Sequence, residues 1–375
     1  MPGTLAIDLG SSTTVVAWQE GASPARLLSL PPYSLEEPCV VPTLLWLAAA
    51  DAAHPLIGRQ VIEADLADTP SPGLCRDFKR AIGAAAGPPE SSWLSPEQAG
   101  SLLLLRLWQG LPATVEPDRL VLTAPIETWR GYRRWLQEAS HPLEVPEVAL
   151  VDEPTAAAIG AGLPPGSRVL VVDMGGGTVD LSLVALEGGE GRAAPIAQLL
   201  RFAGRDLDRS GQALRCARVI GKAGLALGGR DIDRWIAAEL CPDLEPHPAL
   251  LRTAERLKCA LSEREEALGV WTAPGQAPRP LQLSRRRLEA LVRERGLLDQ
   301  LDGLLEQVLA AARREGLGPA DLDAVLPVGG CSRIPLLRRW LQERCPEVPL
   351  RGERPVEAVA LGALALTPGV RVRDV

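Results

Sequence analysis

The sequence predicts an α/β protein built from two related lobes, and three observations carry that prediction. The chain has 375 residues, more than one ordinary core accommodates. Two segments, one in each half, repeat a single design: an apolar strand ending in Asp, a Gly-rich turn carrying hydroxyls, and an apolar return strand. Between and after them, short apolar runs alternate with helical stretches. Apolar residues make up 46% and charged residues 23%, the balance of a soluble globular chain.

Taken in order, Thr4–Leu9 reads as a strand stopped by Asp8 and Gly10, and Thr13–Trp18 as its return partner. A Pro-rich stretch (Pro31, Pro32, Pro38, Pro42) leads to a strand at Thr43–Leu47. Residues 58–67 and 97–109 read as helices, the second with a broad leucine face. RLVLT at 119–123 reads as a buried strand, 128–139 as an amphipathic helix, and 148–152 as another strand. Pro154 then opens a small-residue helix, a favoured place for proline. RVLVVD at 168–173 and LSLVAL at 181–186 flank the second Gly-rich turn. Helices are expected at 209–221, 231–240, 249–262, 284–294 and 298–315, with a β-like stretch near 269–283. A last strand at Ala324–Val328 precedes helices after Pro335 and near Pro355, and the final TPGVRVRDV offers no packing face.

Composition excludes several function classes. A net charge of −7 argues against broad nucleic-acid binding, which needs a basic surface. No apolar run approaches the roughly 18 residues of a membrane helix, and MPGTLAIDLG lacks the basic start of a secretory signal. The chain is therefore expected in the cytoplasm. Seven cysteines without a CxxC pair indicate free thiols, not a disulfide framework or zinc site. His54, His141 and His247 each precede Pro, which places them in loops or element ends. No GxSxG, HExxH, GxxxxGK[ST] or strand-linked GxGxxG is present. Of 40 basic residues only Lys79, Lys222 and Lys258 are lysines, so ammonium chemistry has three candidates.

The paired turns carry the chemistry. They are Asp8-Leu9-Gly10-Ser11-Ser12-Thr13 and Asp173-Met174-Gly175-Gly176-Gly177-Thr178. Glycine allows backbone N–H groups to approach phosphate oxygens, and Ser and Thr add donors. The Asp at each strand end offers hard oxygens to a divalent cation, most simply through its waters. One such turn is a weak signal; two of matching design, with Asp180 close by, are a strong one.

These residues resemble the nucleotide-binding half of the seventy-kilodalton heat-shock protein (Hsp70), or DnaK-type, chaperones, within the actin-like ATPase superfamily. The resemblance lies in IDLGSSTTVVAW at 7–18, FKRAIG at 78–83, VDEPTAAAIGAGL at 151–163, VLVVDMGGGTVDLSLV at 169–184 and VGGCSRIPLL at 328–337. GGRDID at 228–233 and RTAERLKCALS at 252–262 match more loosely, and the segments run in family order along the whole chain. The resemblance implies an actin-like ATPase fold, with ribonuclease H-like duplicated βββαβα lobes around a nucleotide cleft. It divides the chain into lobe I, 1–165, with core 1–38 and 113–165 and insert 39–112. Lobe II, 166–375, has core 166–227 and 291–375 and insert 228–290.

It also implies roles. Asp8 and Asp173 hold hydrated Mg²⁺. Gly10, Ser11, Ser12, Thr13, Gly175, Gly176, Gly177 and Thr178 line the phosphates of ATP or ADP, with K⁺ as a further occupant. Glu153 positions the attacking water with Asp173, Thr178 and Asp180 near it. Gly229, Glu255, Lys258, Ser262, Gly329, Gly330, Ser332 and Arg333 surround the adenosine. Three departures stand out. The family's phosphate-facing Lys falls on Ile62, with Lys79 read as structural. Cys259 replaces a second adenine-stacking Arg, and Val356 replaces an Asp. An alkyl group cannot stabilise phosphoryl charge, so the expectation is a weak ATPase (ATP and water to ADP and phosphate) driving a switch in protein folding. The alternatives are a nucleotide-binding switch without turnover and a bacterial actin-like filament protein. The chain ends at Val375, where the family's linker would begin, so no peptide-binding domain is expected within it. J-domain proteins, nucleotide-exchange factors and unfolded clients are implied partners if such a domain lies outside; nucleic acid and membrane are not.

Overall fold

The structure is a computed structural model that describes residues 3–49, 54–69, 71–83, 92–125, 129–164, 166–186, 198–202, 204–206, 217–245, 247–272, 277–352 and 354–365. The first half contains strands β1 (Gly3–Leu9), β2 (Thr13–Glu20), β3 (Arg26–Leu27), β4 (Val41–Pro42), β5 (Leu44–Trp46), β6 (Leu56–Ile57), β7 (Leu74–Arg76), β8 (Pro117–Ala124) and β9 (Glu147–Asp152). Its helices are α1 (Arg59–Glu63), α2 (Pro96–Gln109), α3 (Trp129–Ala139) and α4 (Glu153–Gly160). The second half contains β10 (Arg168–Met174), β11 (Val179–Leu186), β12 (Gln198–Phe202), β13 (Arg205–Asp206), β14 (Ala217–Leu225), β15 (Glu266–Trp271), β16 (Arg279–Ser284) and β17 (Ala324–Val328). Helices α5 (Gly229–Leu240), α6 (Pro248–Glu263), α7 (Arg285–Glu294), α8 (Leu297–Arg314), α9 (Pro335–Arg344) and α10 (Ala358–Leu364) complete it.

The two halves repeat one topology. β1 runs antiparallel to β2, from Gly3 opposite Glu20 to Leu9 opposite Thr14, and parallel to β8. β10 runs antiparallel to β11, from Arg168 opposite Ala185 to Met174 opposite Val179, and parallel to β17. Both leading strands are covered on two faces, which is why they read as near-continuous apolar runs. The larger sheet has the order β13-β12-β9-β8-β1-β2-β3, with β4 on β2, and the smaller β14-β11-β10-β17. Two further small sheets are β6-β5-β7 and β15-β16.

Each half has its own core. In the first, α2 starts with a capping box between Ser95 and Gln98, with Pro96 in its first turn. It buries Leu103, Leu104 and Leu107 completely, each contributing about 2 kcal/mol. In the second, Leu301 and Val308 of α8 close over β11 and β14. A third cluster joins the halves: Ala156 and Ala157 of α4, Val171 of β10 and Ala360 and Ala363 of α10. There α4 and α10 cross so closely that a Cβ on Gly362 would fall 1.8 Å from the Ala156 carbonyl oxygen.

Most expected elements are present, with two differences. Residues 217–221, expected as helix, belong to strand β14, and 209–216 lie outside the described residues, as do 366–375. Val219, Ile220, Gly221 and Gly224 are poor helix formers, and pairing along β11 decides the outcome. The second difference concerns the lobe boundary. β12 falls within the residues expected for the second lobe, yet it pairs antiparallel with β9 and extends the first lobe's sheet. Leu200 enters the first core, and the buried Arg201 guanidinium donates to the carbonyls of Ser140 and Val145 at 3.3 and 3.5 Å.

Candidate functional site

The turn after β1 and the turn after β10 are built alike. The Gly10 N–H donates to the Thr13 carbonyl and the Gly175 N–H to the Thr178 carbonyl, both at 3.0 Å. They face each other at contact distance: a Cβ on Gly176 would lie 1.8 Å from Ser12 Oγ. A side chain at this position would have to displace the Ser12 hydroxyl, so glycine lets the two turns approach.

Between them lies a cavity of about 370 Å³, within the usual size of a small-molecule site. One end is lined by Asp8, Gly10, Ser11, Ser12, Thr13, Glu153, Asp173, Gly175, Gly176 and Thr178, the residues read from the sequence as holding metal, phosphates and water. Its other end is lined by Glu255, Lys258, Ser262, Gly329, Gly330 and Arg333, also expected, together with Cys259, Cys331 and Val356. Four expected residues stand behind the wall. Gly177 is covered by Arg80, whose Nε would be 1.9 Å from an added Cβ. Asp180 lines a small adjoining cavity shared with Glu153 and Asp173. Gly229 offers its carbonyl to Lys258, and Ser332 is buried with its hydroxyl on the Gly329 carbonyl at 2.7 Å.

The carboxylates crowd one another. Asp8, at the end of β1, accepts a hydrogen bond from Thr123 Oγ1 at 2.6 Å. Burial, and then the charge of Glu153, push Asp8 up to about 6. Burial, and then Glu153 and Asp180, hold Asp173 well above the usual carboxylate range. Glu153 opens α4, where the preceding Asp152 caps the helix by accepting from the Thr155 N–H at 2.8 Å.

The reading of the lysines needs correction. Lys79 Nζ lies 2.7 Å from Glu153 Oε1, on the cavity wall, with both side chains nearly buried. Burial alone would lower its pKa, but Glu153, Tyr132 and Asp8 hold the ammonium above its ordinary value. Ile62 sits on α1, away from the cavity lining. The ammonium on the cavity wall beside Glu153 is therefore Lys79, carried by a 3₁₀ turn at Phe78–Ala81 that contains the buried Phe78. FKRAIG was the available signal, since it is one of the matched segments and contains the residue. At the other end, Lys258 forms a buried pair with Asp233 at 2.8 Å and donates to the Gly229 carbonyl at 2.9 Å. Burial pushes Asp233 up to about 6 and the Cys331 thiol up to about 11.

Two ion pairs tie the first half of the chain to the second, Asp77 with Arg230 at 2.5 Å and Asp68 with Arg252 at 2.9 Å. Among the described residues no three His, Cys, Asp or Glu side chains converge as direct metal ligands. The donor set suits a cation that keeps its water: two carboxylates, Asp8 and Asp173, that face one cavity and are both raised by burial and then by the charge of Glu153. Among those residues no helix is long and apolar enough to cross a membrane.

Known proteins match along the whole chain. It is 27% identical to the chaperone protein DnaK of Thermotoga petrophila over 399 residues, covering 98% of this chain and 61% of that protein. It is 28% identical to DnaK of Thermosipho africanus, covering 95% of this chain and 57% of that protein. A chaperone protein HscA homolog of Acidithiobacillus ferrooxidans is 30% identical over 261 residues, which are 66% of this chain and 37% of that protein. The chain thus spans about three fifths of the DnaK proteins it matches. Residues 133–375 match the Hsp70 protein family. Over two lobes with repeated topology and a cleft between two Asp-Gly turns, the chain belongs to the Hsp70 family and has its actin-like ATPase fold.

Proposed function

We propose that the chain binds Mg-ATP in the cleft, hydrolyses it slowly, and uses the change to alter how its lobes sit together, as the nucleotide switch of a chaperone. The observation that carries this reading is the convergence of Asp8, Glu153, Asp173 and Lys79 between two matched Gly-rich turns. The turns supply backbone and hydroxyl donors to the phosphates. Asp8 and Asp173 would hold the waters of a Mg²⁺ ion, which supplies charge neutralisation at the phosphates when bound. Glu153 accepts a hydrogen bond from the attacking water, with Thr178 and Asp180 beside it, and Lys79 places positive charge where phosphoryl charge develops. Glu255, Lys258, Ser262 and Arg333 form the adenosine end, the Arg333 guanidinium covering the base with its charge in solvent.

The reading without turnover rested on Ile62 standing where a lysine is needed. Lys79 beside Glu153 removes that ground, so hydrolysis is the favoured reading. Family membership likewise favours a chaperone over a filament. Work on J-domain proteins, exchange factors or clients, in the cytoplasm, remains part of this proposal. Mg-ATP should raise the melting temperature, and Asp173→Asn should remove most of the shift. No shift at millimolar Mg-ATP would sink the reading. A single-turnover assay then reads hydrolysis directly.

A further inference from the structure

We propose that the small cavity behind the carboxylates is a rear exit for the phosphate product, running between the two halves of the chain to the Lys222 ammonium. The inference rests on the hydrolysis reading above. Of the three lysines, Lys79 pairs with Glu153 and Lys258 with Asp233. Lys222 is absent from the lining of the main cavity and present in that of the small one.

The two cavities share the wall residues Glu153 and Asp173. From that wall the small cavity is bounded by Pro125 and Pro154 of the first half and by Asp180, Ser182 and Ala223 of the second. Its sides therefore belong to both halves. Lys222 stands opposite Ser182 in the register of β11 with β14 and is exposed, which carries the lining to the surface. Among the described lining residues it is the one cation.

The charges run in the direction an exit needs. Glu153, Asp173 and Asp180 repel a free phosphate at the inner end, and an ammonium attracts it at the outer end. The volume is about 30 Å³, room for water and not for a phosphate ion. Phosphate therefore passes only when the two halves part around the cavity. ADP held by the two turns and by the adenosine residues lies on the main-cavity side of the shared wall. A rear exit lets phosphate depart while ADP stays bound, and it ties that departure to a shift of the lobes.

The exit for phosphate is also the entrance for a phosphate mimic, so the test needs no turnover. The full chain is loaded with fluorescent Mg-ADP, beryllium fluoride is added, and trapping is read as slowed ADP release. The wild-type chain should trap the mimic without first losing ADP. Lys222→Glu should slow entry about fivefold at low salt and less at high salt, with an unchanged melting temperature, and Lys222→Arg should keep the wild-type rate. Ala223→Leu, which fills the passage, should slow entry and escape about tenfold each and leave the affinity within about twofold, the signature of a gate and not of a binding contact. If Ala223→Leu does not fold, the Lys222 pair of variants decides. Trapping that waits for ADP to leave, a wild-type rate in Lys222→Glu or in folded Ala223→Leu, or an affinity lost in step with the rate would each overturn the proposal. Single-turnover cleavage of ATP tests the hydrolysis reading separately, and a wild-type chain that binds no ADP overturns both.

Discussion

The two Asp-Gly hairpins share register, turn and hydrogen bond, yet their surroundings differ. Asp8 has a hydroxyl donor in Thr123, whereas Asp173 faces Asp180 across its hairpin and is raised by burial first, then by Glu153 and Asp180. Their lysines diverge further. Lys79 pairs with Glu153 at one end of the cavity, and Lys258 pairs with Asp233 at the other, held also by a backbone carbonyl. The repeated hairpins provide a symmetric frame, and the two lysine pairs break the symmetry into two unlike ends, which the proposed function reads as a reacting end and a holding end.

The comparison can be broken most strongly at Lys79. Lys79→Ala should lower single-turnover hydrolysis by roughly 10²–10³-fold, the scale for losing a charge at the transferred group, with ATP affinity little changed. Equal loss of affinity would make both lysines holding residues. Lys258→Met should act on the fold instead. Removing one partner of a buried pair typically costs about 3–5 kcal/mol, readable in urea unfolding, and Lys258→Met with Asp233→Asn should recover much of it.

Asp233 gives the pH test. Its carboxyl stands near 6 in the folded chain, against about 3.9 unfolded. The folded state therefore binds the proton more tightly, and this contribution to stability is lost as pH rises from about 4 to 6. Asp233→Asn should flatten that part of the stability profile; an unchanged slope would assign it to other groups. Smaller still, Arg252→Ala breaks the pair with Asp68 that ties the two halves together, both side chains being about a quarter exposed. Partly exposed pairs contribute about 1 kcal/mol or less, so nucleotide release should quicken a few-fold at low salt and less at high salt. Ile62→Lys should leave turnover unchanged, since α1 does not face the cavity. A clear rise would restore Ile62 as the missing phosphate contact.

Both hairpins, their turns and cavity residues such as Gly10, Gly175, Lys258 and Arg333 were legible in the chain, because Gly turns and motif order are properties of neighbouring residues. Three features were not. Lys79 meets Glu153 across 74 positions of sequence, and only the packing of Phe78 and the Gly83–Gly131 contact bring them together. β12 crosses to the other lobe's sheet because β9 has an edge to pair, which no local pattern announces. β14 became strand because the β11 edge outweighed a weak local preference. The sequence by itself determined the family, the repeated hairpins and the turns that approach phosphate, since these depend on short-range covalent and steric rules. Tertiary structure alone decided which lysine meets Glu153 on the cavity wall, because desolvation and ion pairing depend on what folding brings within a few ångströms.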